Sequence, residues 1–340
     1  MKPIKFSLFI DNIQVRSVDD LRAHFHIGII NLHKEGLLLK WLTAQRQPEL
    51  LTQLEGITKY GNDQEQLDAL CHIFSIEPDK EILQQLKQFE METIFLSKLR
   101  TQNWIIRREY VGWFRRAILS EVDGQYELAK IYKRGRFIEQ SYIEAFEWYR
   151  KAAEQGHVES QHAIGEMYEH GRGVTPSDTD AFEWYRKAAE QGHVESQHAI
   201  GEMYEHGRGV TPSDAEAFEW YRKAAEQGHV ESQHAIGEMY EHGRGVTPSD
   251  AEAFEWYRKA AEQGHVESQY AIGEMYEHGR GVTPSDAEAF EWYRKAAEQG
   301  YVKSQCALGK MYEHGRGVAA SNVKASEWYR KAAIASMGLL

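Results

Sequence analysis

The sequence repeats itself with a fixed period of 36 residues over its C-terminal two-thirds. Six tryptophans mark the period, at Trp148, Trp184, Trp220, Trp256, Trp292 and Trp328. The block that begins at Ser160 recurs nearly letter for letter from Ser196, Ser232 and Ser268, and more loosely from Ser304. A period of this length is typical of stacked supersecondary units that bury a core between neighbours. The sequence therefore predicts a repeat array, although the chain length of 340 residues would ordinarily suggest two domains.

Each unit contains the pattern of two amphipathic helices, which we call helix A and helix B, joined by a glycine-containing turn. In the first well-matched unit, helix A is expected over 160–170, with small and apolar residues on one arc and histidine and glutamate on the other. Gly171 follows at a position that suits a left-handed C-cap. Thr175, Ser177 and Asp178 are all suitable N-caps for helix B, and the sequence does not decide between them.

Gly165 lies inside the predicted helix A and recurs at 201, 237, 273 and 309. A glycine within a helix costs about 1 kcal/mol relative to alanine. Its recurrence predicts that a neighbouring helix passes too close for a Cβ atom.

Three ordered signatures carry a family resemblance. They are Gln161-His162-Ala163-Ile164-Gly165-x-Met167-Tyr168, then Gly171-Arg172-Gly173-Val174, then Ala181-x-x-Trp184-Tyr185-Arg186-Lys187-Ala188-Ala189-x-x-Gly192. This combination resembles the Sel-one-like repeat family, a variant of the tetratricopeptide α/α fold, and the resemblance covers about 124–334 as six units. It implies an all-α solenoid that acts as a protein-binding scaffold. A stack of helix pairs curves and leaves a concave groove lined by one helix of each pair.

Residues 1–122 are predicted to form a mostly helical module, and residues 123–340 to form the solenoid of six 36-residue repeats. A small β-hairpin is expected near 5–16, and helices are expected over segments that include 49–56, 79–100 and 104–119. The module contains no glycine-rich phosphate loop, no nucleophile elbow and no catalytic carboxylate pair with a supporting histidine. We therefore predict no enzyme activity, no cofactor and no metal.

The negative charge is concentrated in the array. The net charge of −12 divides into −1 for residues 1–123 and −11 for residues 124–340. An acidic array disfavours nucleic acid and suits a partner protein or a basic peptide. Cys71 and Cys306 do not form a disulfide framework, and no apolar run approaches membrane-spanning length. These features predict a cytoplasmic protein without membrane association.

If helix A lines the groove, its polar arc faces a ligand. The predicted partner-binding residues are His162, Glu166, Glu169, His170, His198, Glu202, Glu205, His206, His234, Glu238, Glu241, His242, Tyr270 and Glu274. Three interpretations stay open: a solvated polar face, an acidic groove for a basic ligand, and metal binding by His162, Glu166 and His170. The four-residue spacing of His162, Glu166 and His170 places pairs of possible metal ligands on one helix face, but the sequence does not supply the four ligands of a complete structural zinc site.

The predicted function is a non-catalytic scaffold or adaptor of a bacterial cytoplasm that binds a partner protein or peptide in the concave groove. The alternative is a bacterial sensor or effector, associated with defence or toxins, whose array recognises a trigger and whose N-terminal module signals. Residues 332–340 stay apolar to the last position, which predicts either a self-association or partner site at the C-terminal end or a tail folded back on the last groove.

Overall fold

The computed structural model describes residues 8–10, 13–15, 47–55, 104–135 and 138–336, with single residues at 21, 38, 66, 69, 70, 72, 74 and 95. It divides into two compact units, residues 1–140 and 141–340. The boundary at residue 122 remains a sequence-based prediction. The predicted helix over 79–100 lies outside the described residues except for Phe95, which is helical.

Two short strands and fourteen helices are present in the described part of the chain. Strands β1 (Leu8–Ile10) and β2 (Ile13–Val15) pair antiparallel, with Leu8 opposite Val15. The helices of the first unit are α1 (Pro48–Glu55), α2 (Trp104–Ile118) and α3 (Val122–Arg134). Those of the second unit are α4 (Tyr142–Glu154), α5 (Val158–His170), α6 (Asp178–Glu190), α7 (Val194–His206), α8 (Asp214–Glu226), α9 (Val230–His242), α10 (Asp250–Glu262), α11 (Val266–His278), α12 (Asp286–Glu298), α13 (Val302–His314) and α14 (Asn322–Ser336).

In the first unit, α2 and α3 pack around aromatic side chains. The ring of Phe95 stacks on Phe114 with centroids 4.4 Å apart, and its edge meets Tyr132. Such pairs stabilise a core beyond their buried area.

The helix ends follow from local chemistry that is the same in each internal repeat. The backbone N–H of Ser160 donates to His157 Nδ1 at the start of α5, and Gly171 ends that helix in the left-handed region at φ +63°. At the start of α6 the Ser177 hydroxyl accepts from the backbone N–H of Asp180. Ser177 is therefore the cap that the sequence left undecided, and His157 is a cap that the sequence did not indicate.

The close approach predicted at the helix A glycines is confirmed. A Cβ atom at Gly165 would lie 2.5 Å from Cδ1 of Tyr185, whose ring fills the space beside the glycine. Tyr185 is buried with Ala181, Phe182 and residues of α7 in a core that recurs in every internal repeat. The edge of Phe182 meets Tyr204 in the next repeat, with centroids 5.3 Å apart. Each core is therefore shared between neighbouring repeats, as in a helical solenoid.

The tryptophans that mark the period lie on the side of helix B that carries its exposed charges. Lys187 Nζ lies 3.7 Å from the ring centre of Trp184, and the same cation–π pair recurs at Trp220, Trp256 and Trp292. These tryptophans are partly buried rather than sealed in the core. Helix B thus presents a surface different from the polar arc of helix A.

Among the described residues, no helix is long and apolar enough to cross a lipid bilayer.

Candidate functional site

The polar arc of helix A divides into residues that connect neighbouring repeats and residues that stay accessible. In α5 the side chains of His162 and Glu169 are only 22% and 21% exposed, whereas Glu166 is 36% exposed and His170 is fully at the surface. The copies in α7 and α9 divide in the same way.

Glu169 connects three elements. The hydroxyl of Tyr185, on α6, donates to Glu169 Oε2 at 2.8 Å, and Arg208 Nη1, from the turn of the next repeat, donates to Oε1 at 2.5 Å. Burial opposes the charged form, but these two hydrogen bonds outweigh it and hold the pKa of Glu169 below its ordinary value. The equivalent ion pairs are Arg244 with Glu205, Arg280 with Glu241, and Arg316 with Glu277.

His162 reaches the next repeat through a shared serine. Its Nδ1 lies 2.9 Å from Ser196 Oγ, and His193 Nδ1 lies 3.0 Å from the same oxygen. His193 Nδ1 already accepts from the backbone N–H of Ser196, so it carries no proton. The Ser196 hydroxyl lies between the two imidazole nitrogens, and the tautomer of His162 determines whether it donates to His162 or accepts from it. The histidine–serine–histidine bridge recurs at Ser232 and Ser268.

Two of the bridging histidines, His198 and His234, are held neutral. Burial, followed by the neighbouring histidine, lowers the pKa of His198 to about 4, and the same causes lower that of His234 to about 4. Glu231 and Glu205 act in the opposite direction on His198 but are weaker. At neutral pH His198 and His234 thus add no positive charge to the arc.

The pattern changes at α11, where Tyr270 takes the place of histidine. Its hydroxyl donates to Glu274 Oε1 at 2.7 Å, and its ring contacts Tyr293 and Tyr301. Because Tyr301 also replaces a histidine, the fully buried Ser304 has lost both imidazoles. Its hydroxyl has no hydrogen-bond partner among the described residues.

A row of partly exposed glutamates, one from each of the four internal repeats, remains accessible: Glu166, Glu202, Glu238 and Glu274, which we call the carboxylate row. Burial raises the pKa of Glu202 and Glu238, and neighbouring carboxylates add to the effect. Arg208 Nη2 is 3.5 Å from Glu202 and Arg244 Nη2 is 3.8 Å from Glu238, which offsets the rise only in part. The negative charges of Glu202 and Glu238 are therefore only partly balanced by these arginines.

The arginines that complete these contacts were missed at the sequence level. Arg208 and Arg244 belong to the Gly-Arg-Gly turn, which suggested a loop but not a partner. Within the described ranges, no group of three or more His, Cys, Asp or Glu side chains is arranged to hold a metal ion.

Repeated helix pairs, glycine-bounded turns and contacts that recur every 36 residues define a helix-pair repeat protein. The family model of the Sel1 repeat matches six consecutive segments, 122–157, 158–193, 194–229, 230–265, 266–301 and 302–336. The chain belongs to the Sel1 repeat family, as its resemblance to the Sel-one-like repeat indicated. Sel1 repeat proteins are generally non-catalytic and act as protein-interaction scaffolds.

Two solved structures share this architecture. A protective antigen of uropathogenic Escherichia coli with an SLR fold is 37% identical, with a TM-score of 0.64 over 68% of this chain and 50% of that protein. A Sel1 repeat protein from Oxalobacter formigenes is 28% identical, with a TM-score of 0.54 over 73% of this chain and 96% of that protein. The chain thus spans about half the length of the E. coli antigen. No curated protein matches the sequence.

Proposed function

We propose that the chain is a non-catalytic scaffold that binds a basic segment of a partner protein along the carboxylate row. In this proposal the row faces the concave groove of the solenoid. The other predicted partner-binding residues frame it: His162, Glu169, His170, His198, Glu205, His206, His234, Glu241, His242 and Tyr270. The family assignment supports the general role of a protein-interaction scaffold.

The observation that carries the proposal is that two consecutive members of the row, Glu202 and Glu238, are partly buried while their nearest arginine nitrogens lie 3.5 Å and 3.8 Å away, an environment that raises their pKa. An added positive charge stabilises the ionised form of a partly buried carboxylate that its own protein neutralises only in part. A lysine or arginine side chain of a ligand would supply that charge and form a charge-assisted hydrogen bond. Because each of the four internal repeats supplies one glutamate, an extended basic segment could meet several of them in turn.

The test is the double variant Glu202→Gln with Glu238→Gln, titrated with a fluorescein-labelled oligolysine peptide in low salt. Each partly exposed charge pair is worth up to about 1 kcal/mol, so losing two is expected to weaken binding about tenfold. The wild-type affinity should also fall as salt is added, because exposed charges are screened. Fluorescence polarisation measures both effects.

The matched control is Glu219→Gln with Glu255→Gln, which removes two charges from helix B of the same two repeats. Those glutamates pair with Arg222 and Arg258 in their own helices, each at 2.6 Å. This control should bind like the wild type. Equal weakening of both double variants would mean that binding follows net charge and that the row is not the site.

A cytoplasmic location in a bacterium belongs to the same proposal; cell fractionation tests it.

Self-association through the C-terminal end is a second expectation. Light scattering of the full chain and of a variant lacking residues 335–340 tests it, and an unchanged mass would contradict it. The alternative of a sensor or effector gains no support from the family assignment.

A further inference from the structure

Each internal repeat contains a buried glutamine on helix A whose side-chain nitrogen and oxygen both form hydrogen bonds. Gln197 Nε2 donates to the carbonyl of Ala189 at 3.1 Å, and its Oε1 accepts from Gln227 Nε2 at 2.7 Å. Gln227 is the residue that ends helix B of the same repeat, and its Nε2 also lies 3.3 Å from the carbonyl of Gly192. The same pairing joins Gln161 with Gln191, Gln233 with Gln263, and Gln269 with Gln299.

The last repeat keeps the acceptor and loses the donor. Gln305 is 4% exposed and donates its Nε2 to the carbonyl of Ala297 at 3.3 Å, as its counterparts do. Its Oε1 has no hydrogen-bond partner in the described part of the chain. The reason is visible in the sequence, because the residue 30 positions later is Ala335 where the five other repeats have glutamine. A buried acceptor without a donor is rare in folded proteins and calls for a partner.

A cavity lies beside this glutamine. Its volume is about 410 Å³, and its lining is mostly apolar. The lining residues are Ala297, Glu298, Gly300, Gln305, Trp328, Lys331 and Ile334. Gly300 holds the place of Gly192, whose carbonyl accepts the second hydrogen bond from the capping glutamine in an internal repeat. The cavity is therefore the place where the missing side chain would lie.

We propose that this cavity binds a glutamine side chain that a partner protein presents at the C-terminal end of a helix. The carboxamide donates to Gln305 Oε1, and the apolar residues that precede it pack on Trp328 and Ile334. The four internal copies show that this chemistry fits, since each fills the same position with a glutamine that follows Ala-Ala-Glu. A carboxylate does not fit, because it has no N–H to offer a carbonyl-type acceptor. A cationic side chain would lie close to Lys331, and Glu298 is already paired with Arg294 at 2.9 Å.

The first experiment uses the chain's own sequence as the probe. A labelled peptide with the sequence of residues 250–264, which ends Ala-Ala-Glu-Gln-Gly, is titrated against the full chain by fluorescence polarisation. We expect saturable one-to-one binding, and binding at least tenfold weaker when the peptide's glutamine is replaced by glutamate. Equal affinity of the two peptides, or no binding at millimolar peptide, would overturn the proposal.

The second experiment supplies the donor within the chain. Ala335→Gln is expected to occupy the cavity, abolish peptide binding and raise the Tm by about 2–4 °C. Ala335→Glu has the same size without the donor and should give no such rise. Equal Tm values for the two variants would mean that Gln305 does not lack a donor. Light scattering of the wild type tests whether a second copy of the chain fills the cavity instead. A wild-type dimer that Ala335→Gln dissociates would assign the cavity to a second copy and would contradict the proposal of a partner protein.

Discussion

Replacing Gly245 by alanine is expected to lower the free energy of unfolding by about 3 kcal/mol or more. Gly245 lies in the turn between α9 and α10 at φ +69°, where an L-residue is strained. A Cβ atom there would also overlap the carbonyl group of Asp214, at the start of helix B in the preceding repeat. That neighbour is helical backbone, which cannot rotate away as a side chain can. Urea denaturation followed by far-UV circular dichroism measures the loss.

Gly264 provides the matched control because it has a positive φ of +99° and open space around it. No atom lies within 4 Å of a Cβ built at Gly264, so Gly264→Ala should cost only the backbone strain, about 1–2 kcal/mol. The difference between the two variants isolates the contact between repeats. If both lose the same stability, the turn does not press on the preceding repeat as tightly as the structure indicates.

The features that the sequence predicts correctly are those that lie within one repeat. Helix periodicity, the glycine caps and the tight space at Gly165 depend on residues that are close in sequence or on one helix face. The predicted helix A began at 160, whereas α5 begins at Val158. That error arose because His157, a residue seldom expected as a cap, satisfies the first turn.

Contacts between repeats could not be assigned because the internal units are nearly identical. Glu169 has an arginine in its own turn, Arg172, and another in the next, Arg208, and the sequence offers no reason to choose. The structure pairs it with Arg208, 39 residues away. His162 likewise pairs with Ser196 rather than with the serine of its own helix. A repeated sequence states which residue types meet but not how far along the array they meet.

Positions that depart from the repeat carry sequence information about the contacts between repeats. Tyr270 stands where the three preceding repeats have histidine, but the effect of this change on Ser304 depends on the bridge between repeats, which the sequence does not show. The replacement of glutamine by Ala335 is equally visible in the sequence. Its consequence follows only from the structure, in which the buried Oε1 of Gln305 has no hydrogen-bond donor among the described residues. A break in a periodic sequence is therefore most informative after the partner of each position is known.

The bridging histidines should make the array unstable in mild acid. His198 and His234 have folded-state pKa values of about 4, against about 6.5 in the unfolded chain. Between these values the unfolded chain binds more protons, so the free energy of unfolding is unaffected at high pH and falls as pH drops below about 6.5. By this linkage each of the two histidines should lower the free energy of unfolding by about 2 kcal/mol between pH 8 and pH 5. Urea titrations at both pH values measure the sum.

The natural substitution at Tyr270 suggests the variant that removes this dependence. His198→Tyr with His234→Tyr eliminates two titrating imidazoles, while His229 and His265 still contact Ser232 and Ser268. Between pH 8 and pH 5 the free energy of unfolding should fall by about 4 kcal/mol less in the double variant than in the wild type, whatever the absolute stability of the variant. His206→Tyr with His242→Tyr is the control, because those histidines lie exposed on the same two helices, and the wild-type pH dependence should persist. An unchanged pH dependence in the bridge variant would show that acid acts on the array through other groups, the Glu205 and Glu241 ion pairs first among them.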